Sequence, residues 1–113
     1  MPNSVPTVSV ADLTGQPPAE VVLLDVREQD EWDAGHAPDA VHIPMGELSA
    51  RLGELPDDAP VYVICRSGGR SARVTQYLTV NGWDASNVEG GMQSWAAAGH
   101  PVVTDSGTAP QVI

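Results

Sequence analysis

The sequence predicts an α/β domain built on a parallel sheet, and two observations carry that expectation. The runs Val21-Val22-Leu23-Leu24-Asp25-Val26 and Val61-Tyr62-Val63-Ile64-Cys65 are continuously apolar rather than alternating, as in strands covered by helices on both faces. Helical signals fall between the strand signals, the alternation that generates α/β architecture.

In chain order, Val8 to Val10 reads as a first short strand and Val21 to Val26 as a second. The acidic stretch from Glu28 to Ala34 predicts a short helix whose negative first turn suits the N-terminal dipole, with Gly35 ending it. Val41-His42-Ile43, stopped by Pro44, is a third strand. A helix is expected after Pro44, with Leu48 and Leu52 four apart and Gly53 as its stop. Val61 to Cys65 is the fourth strand. From Ser71 to Asn81, Val74, Tyr77 and Leu78 sit at helical spacing, and Gly82 stands where a helix commonly closes. Ser86 to Val88 supplies another strand and Met92 to Ala98 a last helix, ended by Gly99. The tail from Thr104 to Ile113 is polar, carries Gly and Pro, and is expected to be mobile.

At 113 residues the chain suits a single domain, residues 1–113, with a core over about 6–103. Hydrophobic residues make up 42% of it, enough for a packed interior without any Phe. The formal charge of -10 argues against nucleic-acid and anionic-membrane partners, since both are polyanionic. Against that background Arg66, Arg70 and Arg73 cluster beside the single cysteine, and there is no Lys at all. One Cys excludes an internal disulfide and a paired-cysteine zinc site, and it points to a reducing compartment, read here as the cytoplasm. No signal peptide is visible, and the longest apolar runs are far short of the roughly 20 residues that span a bilayer. No cofactor or metal is called for: His36, His42 and His100 are too scattered to read as a ligand set.

The chemistry-bearing segment starts at Cys65, the last residue of a buried strand, and continues Arg66-Ser67-Gly68-Gly69-Arg70-Ser71 into a helix. In open α/β sheets ligands bind at the carboxyl ends of strands. Adjacent glycines let successive N–H groups curl toward one centre, and the following helix adds its own N-terminal donors. A sulfur anion at Cys65 would sit at that focus, with the flanking arginines favouring the thiolate, so its pKa is expected below the roughly 8.5 of a free cysteine. That makes Cys65 a candidate nucleophile.

The motifs Leu24-Asp25-Val26-Arg27-Glu28, Glu31-Trp32, Gly35-His36-Ala37-Pro38 leading to Ile43-Pro44, Cys65-Arg66-Ser67-Gly68-Gly69-Arg70-Ser71, and Glu89-Gly90-Gly91-Met92 with Trp95 and Gly99-His100-Pro101-Val102 follow one another in order. Together they resemble the rhodanese domain family. The resemblance implies a five-stranded, mainly parallel sheet with helices on both faces. It also implies a sulfurtransferase in which Cys65 accepts sulfane sulfur as a persulfide and passes it to a thiophilic acceptor, a small molecule or a sulfur-relay protein. Sulfurtransferases of this family resemble the present chain in loop length, since Arg70 falls at Cys-x4-Arg. Related phosphatases and arsenate reductases hold a larger oxyanion with Cys-x5-Arg, where this chain has Ser71. A non-catalytic adaptor is the other alternative, and the intact loop argues against it. Ala37 and Asp39 depart from the family's usual Ile and Gly. Glu31 stands where some two-domain thiosulfate sulfurtransferases carry Arg, and a carboxylate facing the pocket would repel thiosulfate.

Other residues are weighed individually. Asp25 and Arg27, at the same sheet edge as Cys65, are either supports that hydrogen-bond the loop or an ordinary ion pair at a strand end. Arg66 and Arg70 are expected to draw an anionic donor. Ser67 and Ser71 offer hydroxyls to the thiolate, although helix capping explains Ser71 equally well. Glu28, Asp30, Glu31 and Asp33 match no calcium loop and read as a solvated helix face. Trp32, Trp83 and Trp95 read as packing aromatics.

Overall fold

The structure, a computed structural model, describes residues 5–13 and 21–113. Residues 1–4 and 14–20, part of the N-terminal stretch in which no signal peptide is legible, lie outside those described. Five strands, β1 (Thr7–Ser9), β2 (Val22–Asp25), β3 (Val41–His42), β4 (Val61–Ile64) and β5 (Ala85–Glu89), form one sheet in the order β1-β5-β4-β2-β3. All of its pairings among the described residues are parallel. Helix α1 (Gln29–Ala34) follows β2, α2 (Gly69–Val80) joins β4 to β5, and α3 (Gly91–Ala97) follows β5.

Side chains alternate across a strand, so a strand covered on both faces must be apolar throughout. Leu24 and Val63 face a core layer completed by Leu48, Val74 and Leu78. Their neighbours Leu23 and Ile64 face the opposite layer, with Val88, Met92 and the fully buried Trp95. Helix α2 and the segment after Pro44 thus cover one face, and α3 covers the other. No helix among the described residues is long and apolar enough to cross a membrane.

Two local expectations are corrected. The segment after Pro44 is not one helix but two 3₁₀ turns, Met45–Ala50 and Leu52–Glu54, separated at Arg51. Two short turns bring both Leu48 and Leu55 into the core, and Arg51 stitches them by bonding Glu47 at 3.0 Å and Glu54 at 2.8 Å. Val10 leaves the first strand to start a 3₁₀ turn capped by the Ser9 hydroxyl. Val103, just before the tail, bridges His36, and within the tail the Gln111 N–H donates to Ala34 O at 2.8 Å and Val112 packs on the α3 layer.

Asp25 and Arg27 are both fully buried and ion-paired at 2.8 Å, with a second bond from Arg27 Nε to Asp25 Oδ1 at 3.0 Å. The rest of the guanidinium donates to Glu31 O at 3.2 Å and Gly35 O at 2.8 Å, within α1 and just beyond its end. None of their hydrogen bonds reaches residues 65–71, so the pair does not support the loop directly. It ties the end of β2 to α1. Removing one member of such a pair strands a buried charge. Asp25→Ala should therefore cost about 3–5 kcal/mol in urea unfolding, and a loss below about 1 kcal/mol would mean that the pair does not hold this corner.

Candidate active site

Cys65 follows β4 directly, and Asp25 ends the neighbouring β2. The chain leaves β2 toward β3 on one side and leaves β4 toward β5 on the other, so the connections diverge and open a crevice at the sheet's carboxyl edge. The loop from Cys65 to Gly68 fills that crevice.

Helix α3 fixes the direction of the loop's peptides. Early N–H groups of a helix have no partner within it, and here Met92 N–H donates to Cys65 O at 2.7 Å and Gln93 N–H to Arg66 O at 3.0 Å. C=O and N–H of a trans peptide point opposite ways. Drawing Arg66 O toward α3 therefore turns the Ser67 N–H the other way, to the side of the Cys65 sulfur, where it favours the thiolate. This approach needs Gly91, where a Cβ would collide with Cys65 O and come within 2.7 Å of the Arg66 carbonyl carbon.

More donors converge on the same atom. Gly68, at a left-handed φ of 111°, places its N–H 3.1 Å from Cys65 Sγ. The Ser71 N–H lies at 3.4 Å and the Ser71 hydroxyl at 3.2 Å. That hydroxyl is also 2.5 Å from Asn87 Oδ1 of β5. Burial of Cys65 opposes ionisation, but the Ser71 hydroxyl and the backbone N–H groups of Ser71, Gly68 and Ser67 outweigh it and hold the thiol below its ordinary pKa.

The arginines are placed differently from expectation. Arg70 donates to both oxygens of Glu31, at 2.7 and 2.8 Å, so the charge expected to attract an anion is met by a carboxylate across the crevice. The Arg70 hydrogen bond, against a desolvation cost, pulls the Glu31 pKa down to about 2. Glu31 is therefore not an unpaired carboxylate repelling donors. Arg66 is exposed and turned to the tail, its Nε donating to Ile113 O at 3.0 Å. With the Gln93 amide oriented to satisfy both groups, its oxygen accepts from Arg66 at 3.2 Å. Arg73 lines a shallow cleft of about 200 Å³ with Met45, Leu48 and Tyr77, which shares no residue with the loop from Cys65 to Ser71.

The two serines also divide. Ser67 is exposed and contributes its backbone N–H. Ser71 is the third residue of α2 rather than its cap, which is Gly68. Gly69 shows no positive φ, and a Cβ there would meet nothing within 4 Å, so only the first of the paired glycines is required by the backbone. Sequence reasoning missed Asn87, which lies in a strand, Ala85-Ser86-Asn87-Val88-Glu89, whose other polar residues leave it without a distinguishing signal. Among the described residues no group of His, Cys, Asp and Glu is arranged to hold a metal ion.

Two outcomes follow for the loop and its ion pair. Gly69→Ala should leave the fold intact or stabilise it by about 0.4–1 kcal/mol, while Gly68→Ala should destabilise it and slow Cys65 alkylation. Equal effects would contradict the assignment of the turn to Gly68. Glu31 has a depressed folded pKa, so its stabilising contribution is complete above the ordinary 4.5 and is lost as pH falls toward about 2. Melting temperature should fall through that window more steeply for wild type than for Glu31→Gln, and parallel curves would show that the pair contributes nothing.

Residues 9–98 match the rhodanese-like domain family. A Bacillus subtilis protein whose sulfurtransferase name is itself provisional is 44% identical over 82 residues, covering 73% of this chain and 80% of that one. A protein of Allochromatium vinosum named sulfurtransferase is 38% identical over 89 residues, covering 78% of this chain and 83% of its own length. Among solved structures, a rhodanese-related protein from Thermoplasma volcanium superposes with a TM-score of 0.82 at 36% identity, over 88% of this chain and 99% of that one. The fold, the loop at the carboxyl edge and these matches agree, and the chain belongs to the rhodanese-like domain family.

Proposed function

We propose that the chain is a sulfurtransferase that carries sulfane sulfur as a persulfide on Cys65 and hands it to a thiophilic acceptor, chemistry of the thiosulfate:cyanide type. The observation that carries this reading is the convergence of the Gly68 N–H, the Ser71 N–H and the Ser71 hydroxyl on Cys65 Sγ at 3.1, 3.4 and 3.2 Å. Such a cradle stabilises a thiolate, and after loading the same donors face the persulfide.

The thiolate attacks the outer sulfur of a donor such as thiosulfate. A new S–S bond forms to Cys65, the donor's own S–S bond breaks, and sulfite departs with the bonding pair. A nucleophilic acceptor then attacks the terminal sulfur, and Cys65 leaves as thiolate. No net oxidation or reduction of the protein is needed. Relatives named sulfurtransferase support this class of reaction, with a small thiol, cyanide or a sulfur-relay protein as acceptor. A reducing compartment such as the cytoplasm keeps Cys65 available.

Arg70 argues against the phosphatase and arsenate reductase alternatives. Both of its arms are engaged by Glu31, so it is not free to clamp a tetrahedral oxyanion over the loop. An adaptor would have no use for a buried sulfur ringed by donors. Cys65 is only 1% exposed, which favours donors that present a slim terminal sulfur. With Glu31 paired, thiosulfate and organic persulfides are both admissible donors.

Intact mass spectrometry after incubation with thiosulfate or glutathione persulfide should show the mass of one added sulfur atom on wild type, removable by a thiol reductant, and none on Cys65→Ser. Loaded protein should convert cyanide to thiocyanate and show no activity on an aryl phosphate. An adduct that persists in Cys65→Ser, or phosphate release without sulfur loading, would reject the proposal.

A further inference from the structure

One contact of the loop has no part in the chemistry as written, the approach of Asn87 from β5. Ser71 Oγ stands 2.5 Å from Asn87 Oδ1 and 3.2 Å from Cys65 Sγ. Ser71 and Cys65 are buried, and Asn87 is 8% exposed, so water does not supply a substitute partner freely. A hydroxyl has one proton and two lone pairs. It cannot donate to both acceptors at once.

The orientation of Asn87 is set from its other end. Its Nδ2 faces the Gly68 carbonyl at 3.4 Å, an acceptor that only a donor can satisfy, which leaves Oδ1 toward Ser71. The Ser71 position is fixed as well, since its own carbonyl accepts from the Thr75 hydroxyl at 2.7 Å. While Cys65 is neutral, the short bond to the amide oxygen holds the Ser71 proton and turns a lone pair toward the thiol. Once the sulfur carries charge it is the stronger acceptor, and the proton must leave Asn87 to reach it.

We propose that Asn87 is a positioning residue that competes with the Cys65 sulfur for the Ser71 proton, so that the hydroxyl is given to the sulfur only as negative charge builds there. This rests on Cys65 as the sulfur carrier. As the attacking thiolate gives up its charge to the new S–S bond the proton can return to Asn87, and it comes back to the sulfur when Cys65 becomes the leaving group. The fixed donors of Gly68 and Ser71 backbone cannot make this distinction. Other charge near the sulfur is limited: Arg70 of α2 acts on it and is itself met by Glu31 of α1. The sheet and the rest of α2 present Val26, Val63 and Val74, and α3 presents its N-terminal backbone and the uncharged Gln93.

Thiolate absorbance against pH on the folded full chain tests this, using Asn87→Leu, Ser71→Ala and the double variant. Asn87→Leu frees the hydroxyl and should lower the Cys65 midpoint by about half a pH unit or more. Ser71→Ala should raise the midpoint more in the Asn87→Leu background than in wild type. An unchanged or raised midpoint in Asn87→Leu, or an equal effect of Ser71→Ala in both backgrounds, would overturn the proposal. Should Asn87→Leu fail to fold, the near-isosteric Asn87→Asp holds the proton harder and must raise the midpoint, and by less when combined with Ser71→Ala. A rise independent of Ser71 would reduce Asn87 to a local charge effect and reject the role. Sulfur loading of wild type, read by mass in parallel, separates the two claims. A midpoint that moves as stated in a protein that never loads sulfur rejects the carrier reading alone, whereas loading with an unmoved midpoint rejects Asn87 alone.

Discussion

The site depends on two hydrogen bonds that do not touch the sulfur, from the Met92 and Gln93 N–H groups to the carbonyls of Cys65 and Arg66. They hold the Cys65 and Arg66 oxygens against α3, and peptide planarity then turns the Ser67 N–H to the sulfur's side, while the left-handed turn at Gly68 and the start of α2 bring the Gly68 and Ser71 N–H groups. Without them the segment after β4 would be free to aim carbonyls at Cys65, and a buried sulfur anion facing carbonyl oxygens would be destabilised rather than held. The sheet makes this possible by bringing β4 and β5 side by side, so that the starts of α2 and α3 meet at one edge. The same proximity leaves no room for a Cβ at Gly91.

Charge plays a smaller part than the clustering of arginines suggests. Arg70 is balanced by Glu31 and Arg66 is turned toward the tail, so the positive character at the sulfur comes chiefly from oriented backbone dipoles. The ionic groups work at the walls instead. Asp25 holds Arg27, Arg27 holds the carbonyls of Glu31 and Gly35, and the Glu31 side chain reaches across to Arg70 on α2. This relay joins the two diverging connections of the crevice and keeps α2, with its Ser71 donors, in place beside β2.

Much of this was legible because it is written in local chemistry. Continuous apolar runs identified β2 and β4, and Gly68-Gly69 beside Cys65 identified the loop, with Gly69 over-read as a second conformational requirement. Partners chosen by tertiary packing were not legible. Nothing in the sequence signals that Glu31 meets Arg70, thirty-nine positions away, since Glu31 reads as a solvated helix charge and Arg70 as a loop residue that draws an anionic donor. Asp25 and Arg27 sit close in sequence, but their targets at Glu31 and Gly35 emerge only when α1 folds back. The tail's contacts were not legible either: one apolar residue, Val112, and backbone bonds at Gln111 and Ile113 touch the body from a segment that reads as a polar coil. Asn87 was hidden because Ser86 and Glu89 already make β5 a partly polar strand, in which one more polar residue carries no signal.

Salt dependence of Cys65 ionisation distinguishes backbone dipoles from guanidinium charge most directly. Alkylation of the wild-type chain by iodoacetamide, followed against pH, should give a midpoint below the roughly 8.5 of a free cysteine. Because fixed, partly buried donors are screened far less than exposed charges, that midpoint should hold nearly constant between about 0.02 and 0.5 M salt. A midpoint at the free-cysteine value, or one that climbs toward it as salt is added, would contradict the assignment of the sulfur's environment to the loop's N–H groups.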